Sequence, residues 1–155
     1  MQFENKITPF FGFKDQAEEA AEFYVSVLPD SRIVQTVKHP HTGSVITVEF
    51  ELAGMTFVAL NAGQDWEFTE AISLAVSCQT QEEIDDLWAK LTADGGQEVA
   101  CGWLKDKFGV RWQIVPASIG QMIGDPDPDR AARVFDAMVQ MIKLDMAKLQ
   151  AAYDG

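Results

Sequence analysis

CGWLKDKFGVRWQIVP, Cys101 to Pro116, is the stretch from which the fold is read. It predicts a strand, a tight turn at Lys107-Phe108-Gly109 and a second strand ending at Pro116. In the second strand Val110, Trp112 and Ile114 alternate with Arg111, Gln113 and Val115. One face is therefore apolar and the other carries polar heads, the period of a half-buried strand. A buried aromatic beside a strand-borne amide suits the floor of a small-molecule pocket. It suits a plain core equally well.

Working outward, the residues before this hairpin repeat the order of those at the start of the chain. In the first half, Ile7 to Phe13 reads as an aromatic strand, and Asp15 as the cap of a helix over Gln16 to Leu28. Ser31 to Lys38, Val45 to Leu52 and Met55 to Asn61 read as strands, joined by turns at His39 to Gly43 and Ala53-Gly54. In the second half, Ala71 to Cys78 is a strand and Gln81 to Ala93 a helix capped by Thr80. Strands at Glu98 to Leu104 and Val110 to Val115 follow, with room for a shorter one between them. Setting AEEAAEFYVSVLPD (Ala17 to Asp30) over QEEIDDLWAKLTAD (Gln81 to Asp94) aligns two acidic pairs and the aromatic positions. The expected fold is α+β. Two βαβββ modules, about residues 5–62 and 70–116, form a curled mixed sheet around a cavity, with a C-terminal helical extension over about 118–153.

At 155 residues the chain fits one domain or two small modules. A formal charge of −12 leaves no basic stripe to release counterions from a phosphate backbone, so no nucleic acid is expected. No apolar run approaches membrane-spanning length, and MQFENK lacks a signal pattern. No membrane partner and a cytoplasmic location are the expectations. Cys78 and Cys101 fit reduced thiols better than a disulfide framework.

After Pro116 the composition shifts. Ile119 to Ile123 reads as one helical turn, and GDPDPD (Gly124 to Asp129) as a stop. A helix over Arg130 to Leu144 would carry Val134, Phe135, Met138, Met141 and Ile142 on one stripe, and Asp145 would cap a last short helix. That stripe must pack on its own module or on a second copy, and a homodimer is expected.

ITPFFGFKDQAEEAAEFYVSVLPDSRI, FTEAISLAVSC, CGWLKDKFGVRWQIVP and DPDPDRAARVFDAMVQMIKLD together resemble the PhnB-like family. That family is often labelled the 3-demethylubiquinone-9 3-methyltransferase domain. It sits in the vicinal oxygen chelate superfamily with glyoxalase I, bleomycin-resistance proteins and extradiol dioxygenases. No glycine-rich strand-to-helix turn of the nucleotide-binding type is present, which argues against an S-adenosylmethionine methyltransferase. Metal enzymes of the superfamily carry His or Glu on the first and last strand of each module. Aligned by that resemblance, the four positions fall at or beside Thr8, on Ala59 with Asn61 nearby, at Ala71 or Ile72, and on Gln113. None is His or Glu, so neither a metal nor any other cofactor is expected.

Among the other candidates, His39 and His41 read as exposed turn residues, and no His follows Cys101 to activate it. Glu49, Glu51, Glu67 and Glu70 include potential general bases but read as solvated. The expected ligand-binding residues are Thr8, Phe10, Phe57, Asn61, Trp66, Trp103 and Gln113. Trp66 is the most informative, because a tryptophan in a polar loop needs a reason. Three classes of function stay open: a metal-independent small-molecule-binding protein, a metal-dependent isomerase, lyase or dioxygenase, and a dimeric scaffold with a vestigial pocket.

Overall fold

A computed structural model describes residues 5–155, and the chain divides after Glu67 into two compact units. The first contains β1 (Phe10–Phe13), α1 (Ala17–Val27), β2 (Arg32–Lys38), β3 (Val45–Leu52) and β4 (Met55–Asn61). Its sheet has the order β1-β4-β3-β2, with β1 parallel to β4 and the remaining pairs antiparallel. The second contains β5 (Leu74–Cys78), α2 (Gln81–Thr92), β6 (Gln97–Glu98), β7 (Trp103–Lys105) and β8 (Arg111–Pro116). Its order, β5-β8-β7-β6, and its pairing senses are the same. The α+β class and the duplicated βαβββ order read from the sequence are those of the structure.

Each sheet buries one face beneath its own helix. In the first unit, Phe11 meets Tyr24 of α1 edge-on at 6.3 Å, and Phe50 stacks on Phe57 at 5.7 Å. Ala17, Ala20 and Ala21 are fully buried, and their small side chains let α1 approach this aromatic layer closely. In the second unit, Ile84, Leu87, Trp88 and Leu91 of α2 are buried, as are Leu104, Trp112 and Ile114 of the sheet. Burying each such large apolar side chain is worth about 1.5–3 kcal/mol. After the sheet come α3 (Ile119–Ile123), α4 (Pro128–Val139) and α5 (Met146–Asp154). They close on a small core of Met122, Val134, Leu144 and Leu149, against which Met138, Met141 and Tyr153 pack.

Five expectations need correction. Asp15 does not cap α1; the Ala17 N–H donates instead to Asn61 Oδ1 at 2.8 Å, from the end of β4. β1 starts only at Phe10 rather than Ile7, and β5 only at Leu74 rather than Ala71, each three residues later than the apolar pattern suggests. Glu98 to Leu104 is not one strand, because Cys101 (φ 55°) and Gly102 (φ 83°) turn the chain between β6 and β7. The helix over Arg130 to Leu144 stops at Val139. There the chain leaves its helical path, and the Met141 and Ile142 carbonyls accept from the Cys101 and Gly102 N–H groups at 2.9 and 2.8 Å. Two irregular segments thus satisfy one another's backbone.

Candidate functional site

Strand alternation sorts every candidate by face. In the first unit, Phe11, Phe50 and Phe57 look toward α1, so their strand neighbours look away from it. Register then builds the away-facing surface in rows. One row runs Phe10, Val58, Glu49, Gln35, and the next runs Gly12, Leu60, Thr47, Val37. Glu51 lies in a third row, where both its carboxylate oxygens accept from Arg32 at 2.9 and 3.0 Å.

On this surface Trp66 finds its reason. Its six-membered ring lies over Gly12, so closely that a Cβ on Gly12 would fall 2.5 Å from Trp66 Cε3. Glycine is therefore required for the indole to lie on the strand. Trp66 nevertheless keeps 59% of its surface exposed, and Phe10 on the same face keeps 47%. Beside these aromatics are polar groups withdrawn from water. Glu49 and Thr47 are each only 6% exposed. The Thr47 hydroxyl and that of Thr8, just before β1, are buried without a hydrogen-bond partner among the described residues. A buried hydroxyl left unpaired costs on the order of 1–3 kcal/mol.

Two of the expected ligand-binding residues have other positions. Phe57 is buried on the α1 side, 5.4 Å from the Phe11 ring. Asn61 spends its amide on architecture: Oδ1 accepts from Ala17 N–H, and Nδ2 donates to the Val45 carbonyl at 3.1 Å. Ala59 also faces α1, fully buried. On the opposite face the corresponding β4 residues are Thr56, Val58 and Leu60.

In the second unit, Trp112, Ile114 and Leu104 are the buried, helix-side set, so Trp103, Lys105, Arg111 and Gln113 face away. Gln113 donates through Nε2 to Ser73 Oγ at 2.9 Å. Arg111 pairs with Glu70 at 2.9 Å, and Glu70's own backbone N–H and then Arg111 hold its carboxyl below the usual range. Trp112 and Gln113, adjacent in sequence, thus lie on opposite faces and cannot share one pocket floor. A separate groove of about 750 Å³ lies where α2 meets residues 140–148. Its polar groups are spent on one another: Asp85 pairs with Lys143, and the Gln81 amide bridges the Leu144 carbonyl and the Met146 N–H.

A divalent metal does not fit the positions that the resemblance points to. Thr8, Ala59 with Asn61, Ala71 or Ile72, and Gln113 offer one hydroxyl, alkyl groups and two amides, and Thr56, Val58 and Leu60 on the other face of β4 add no imidazole or carboxylate. Among the described residues no three His, Cys, Asp or Glu side chains cluster as a metal site. His39 is bound into its own turn, its Nδ1 accepting from the His41 N–H at 3.2 Å. Burial, and then the nearby Glu83, pushes the Cys78 thiol up to about 12, which leaves it an inert packing residue. Glu49 is the residue whose weight the sequence concealed. Acids at alternate positions in VITVEFEL read as a solvated edge, whereas β3 lies inside the sheet, between β4 and β2.

Comparison with known proteins agrees with this architecture. The family model described as 3-demethylubiquinone-9 3-methyltransferase matches residues 5–115. A solved structure described as a putative 3-demethylubiquinone-9 3-methyltransferase, PhnB protein, from Bacillus cereus is 37% identical. That match covers 73% of this chain and 100% of the other, with a TM-score of 0.67. Protein PA1353 from Pseudomonas aeruginosa is 17% identical over 72% of this chain and 96% of its own, with a TM-score of 0.57. The fosfomycin resistance protein FosX from Listeria monocytogenes, described in complex with Mn(II) and dihydroxypropylphosphonic acid, is 14% identical. It covers 77% of this chain and 98% of its own, with a TM-score of 0.57, and the likeness is one of fold. No curated protein matches the chain. Family model, PhnB relative and duplicated βαβββ order together place the chain in the 3-demethylubiquinone-9 3-methyltransferase family, as a PhnB-like member.

Proposed function

We propose that this chain is a metal-independent small-molecule-binding protein that takes its ligand on the sheet faces turned away from the helices. The observation that carries the reading is Trp66 laid over Gly12 and still more than half exposed, beside half-exposed Phe10. Large aromatic surface fixed on a rigid strand is what a ligand can stack against at little entropic cost. Thr8 lies at the start of this surface in the first unit, and Trp103 and Gln113 are the candidate contacts on the corresponding face of the second sheet, taken by itself. The absence of imidazole and carboxylate at Thr8, Ala59, Ala71 or Ile72, and Gln113 favours this reading over a metal-dependent isomerase, lyase or dioxygenase. The reading includes a second copy of the chain as partner, supported by the exposed Phe135, Val139 and Ile142. A thermal-shift screen of small aromatic and heteroaromatic compounds tests the binding. A ligand at a hundredfold excess over its Kd adds about 2.7 kcal/mol to the stability of the native state. Hits should lose their effect in Trp66→Ala. Elemental analysis that finds one zinc, nickel, manganese or iron ion per chain as purified would overturn metal independence.

A further inference from the structure

We infer that the ligand of the first unit's away-facing surface is a cation, a protonated amine or quaternary ammonium compound with an apolar body, and that Glu49 is its counter-ion. The inference rests on the binding function proposed above and names the chemistry of the ligand.

Glu49 is 6% exposed, and its carboxylate has neither a hydrogen bond nor an ion pair among the described residues. The contrast with the other carboxylates is informative. Glu51, one row away on the same face, is satisfied in both oxygens by Arg32. Asp106, the other strongly buried acid, accepts from Phe108 N–H, Val110 N–H and Trp112 Nε1–H. The sheet thus supplies partners where a carboxylate is structural and supplies none at Glu49. The Glu49 oxygens keep a little contact with solvent, so they are open to a ligand, yet an anion held in so nearly buried a place without a protein partner is costly. A cationic ligand brings the missing partner with it.

The neighbours of Glu49 specify the rest. Thr47, also 6% exposed, lies two residues along β3 on the same face, and its hydroxyl is unpaired. An ammonium group has several protons to give and can serve both oxygens. Across the sheet, Phe10 lies two strands from Glu49 in the same row, about 10 Å at the usual strand spacing. Phe10 and Trp66 would then hold the apolar body, and an aromatic face also attracts a cationic head group. The net charge of −12 raises the local concentration of cations and lowers that of anions.

Three probes of one shape separate the possibilities: 2-phenylethylamine, 2-phenylethanol and 3-phenylpropanoate, titrated while backbone and indole NMR signals are followed. The expected result is that the amine shifts signals of β1, β3 and Trp66, and that Glu49→Gln weakens its binding at least tenfold. If the alcohol or the carboxylate binds this face as tightly as the amine, or if Glu49→Gln leaves the amine's affinity unchanged, the cationic assignment fails and the binding function stands. If none of the three shifts this face at millimolar concentration, both fail. Melting of the unliganded variant gives a readout that needs no ligand. Glu49→Gln should melt a degree or more above the unmodified protein, since it removes a largely desolvated charge that has no protein partner. A lower melting temperature would show that Glu49 is a structural residue and overturn the assignment.

Discussion

Asp106 and Glu49 are the two most deeply buried acids in the described chain, at 1% and 6% exposure, and they resolve the cost of burial in different ways. Asp106 sits at the end of β7 and gathers three donors. Oδ1 accepts from the Phe108 and Val110 N–H groups at 2.8 and 3.0 Å, and Oδ2 from the Trp112 indole N–H at 2.8 Å. One side chain therefore closes the turn between β7 and β8 and anchors the largest ring of the second core. Asp106→Ala should lower the unfolding free energy by about 3 kcal/mol, because it leaves buried donors unpaired. Urea denaturation measures this, and a loss below about 0.5 kcal/mol would show that water replaces the carboxylate. In the sequence, DKFG advertises a turn and nothing more. That the turn's acid reaches a tryptophan six residues on depends on a strand pairing that local pattern does not specify. Glu49 was illegible for a related reason, since alternation shows which residues share a face and not whether that face meets water.

Elements closed by local chemistry were legible to the residue, and those closed from afar were not. β3 and β4 have the limits read from the sequence because Ala53 (φ 47°) and Gly54 (φ 86°) make a two-residue turn between them. α2 begins where Thr80 suggests, with Thr80 Oγ1 accepting from the Glu83 N–H at 3.2 Å. α1 misled because its cap is Asn61, 44 residues away. The break at Cys101-Gly102 and the end of α4 at Val139 are mutual, each satisfying the other, and neither half alone announces it. Asn61→Ala tests the remote cap. It should cost about 1–2 kcal/mol and speed amide exchange in the first turn of α1 while α2 is unaffected. Unchanged exchange at Ala17 would mean that the Asn61 bond contributes nothing to the helix. The candidate site was legible in part for the same physical reason. Phe10 and Trp66 stand out by composition, but separating them from Phe57 requires knowing which strand face α1 covers.

At the scale of the whole chain, the C-terminal helical segment leaves an apolar surface open besides the one around Phe10 and Trp66. The expected stripe does not act as a unit. Val134 is fully buried, and Met138 and Met141 pack with it on Met122, Leu144 and Leu149. Phe135 and Val139, one turn apart on α4, and Ile142, beyond its end, are left 40–52% exposed. One part of the stripe thus covers its own unit, and the other part is available to a second copy. Twofold pairing buries the same patch on both subunits with a single set of contacts, and a specific contact of this kind covers about 800 Å² per subunit. The charge of −12 on each chain opposes association at low salt, so pairing through these apolar residues should tighten as ionic strength rises. Two substitutions separate the two parts. Phe135→Asp should leave the melting temperature of the unit nearly unchanged and give monomers by light scattering at micromolar concentration. Met138→Asp should destabilise the fold itself, by several degrees or more, because it places a charge against a dry core. A monomeric unmodified chain would refute the pairing. A Phe135→Asp dimer as tight as the original would move the contact elsewhere on the chain.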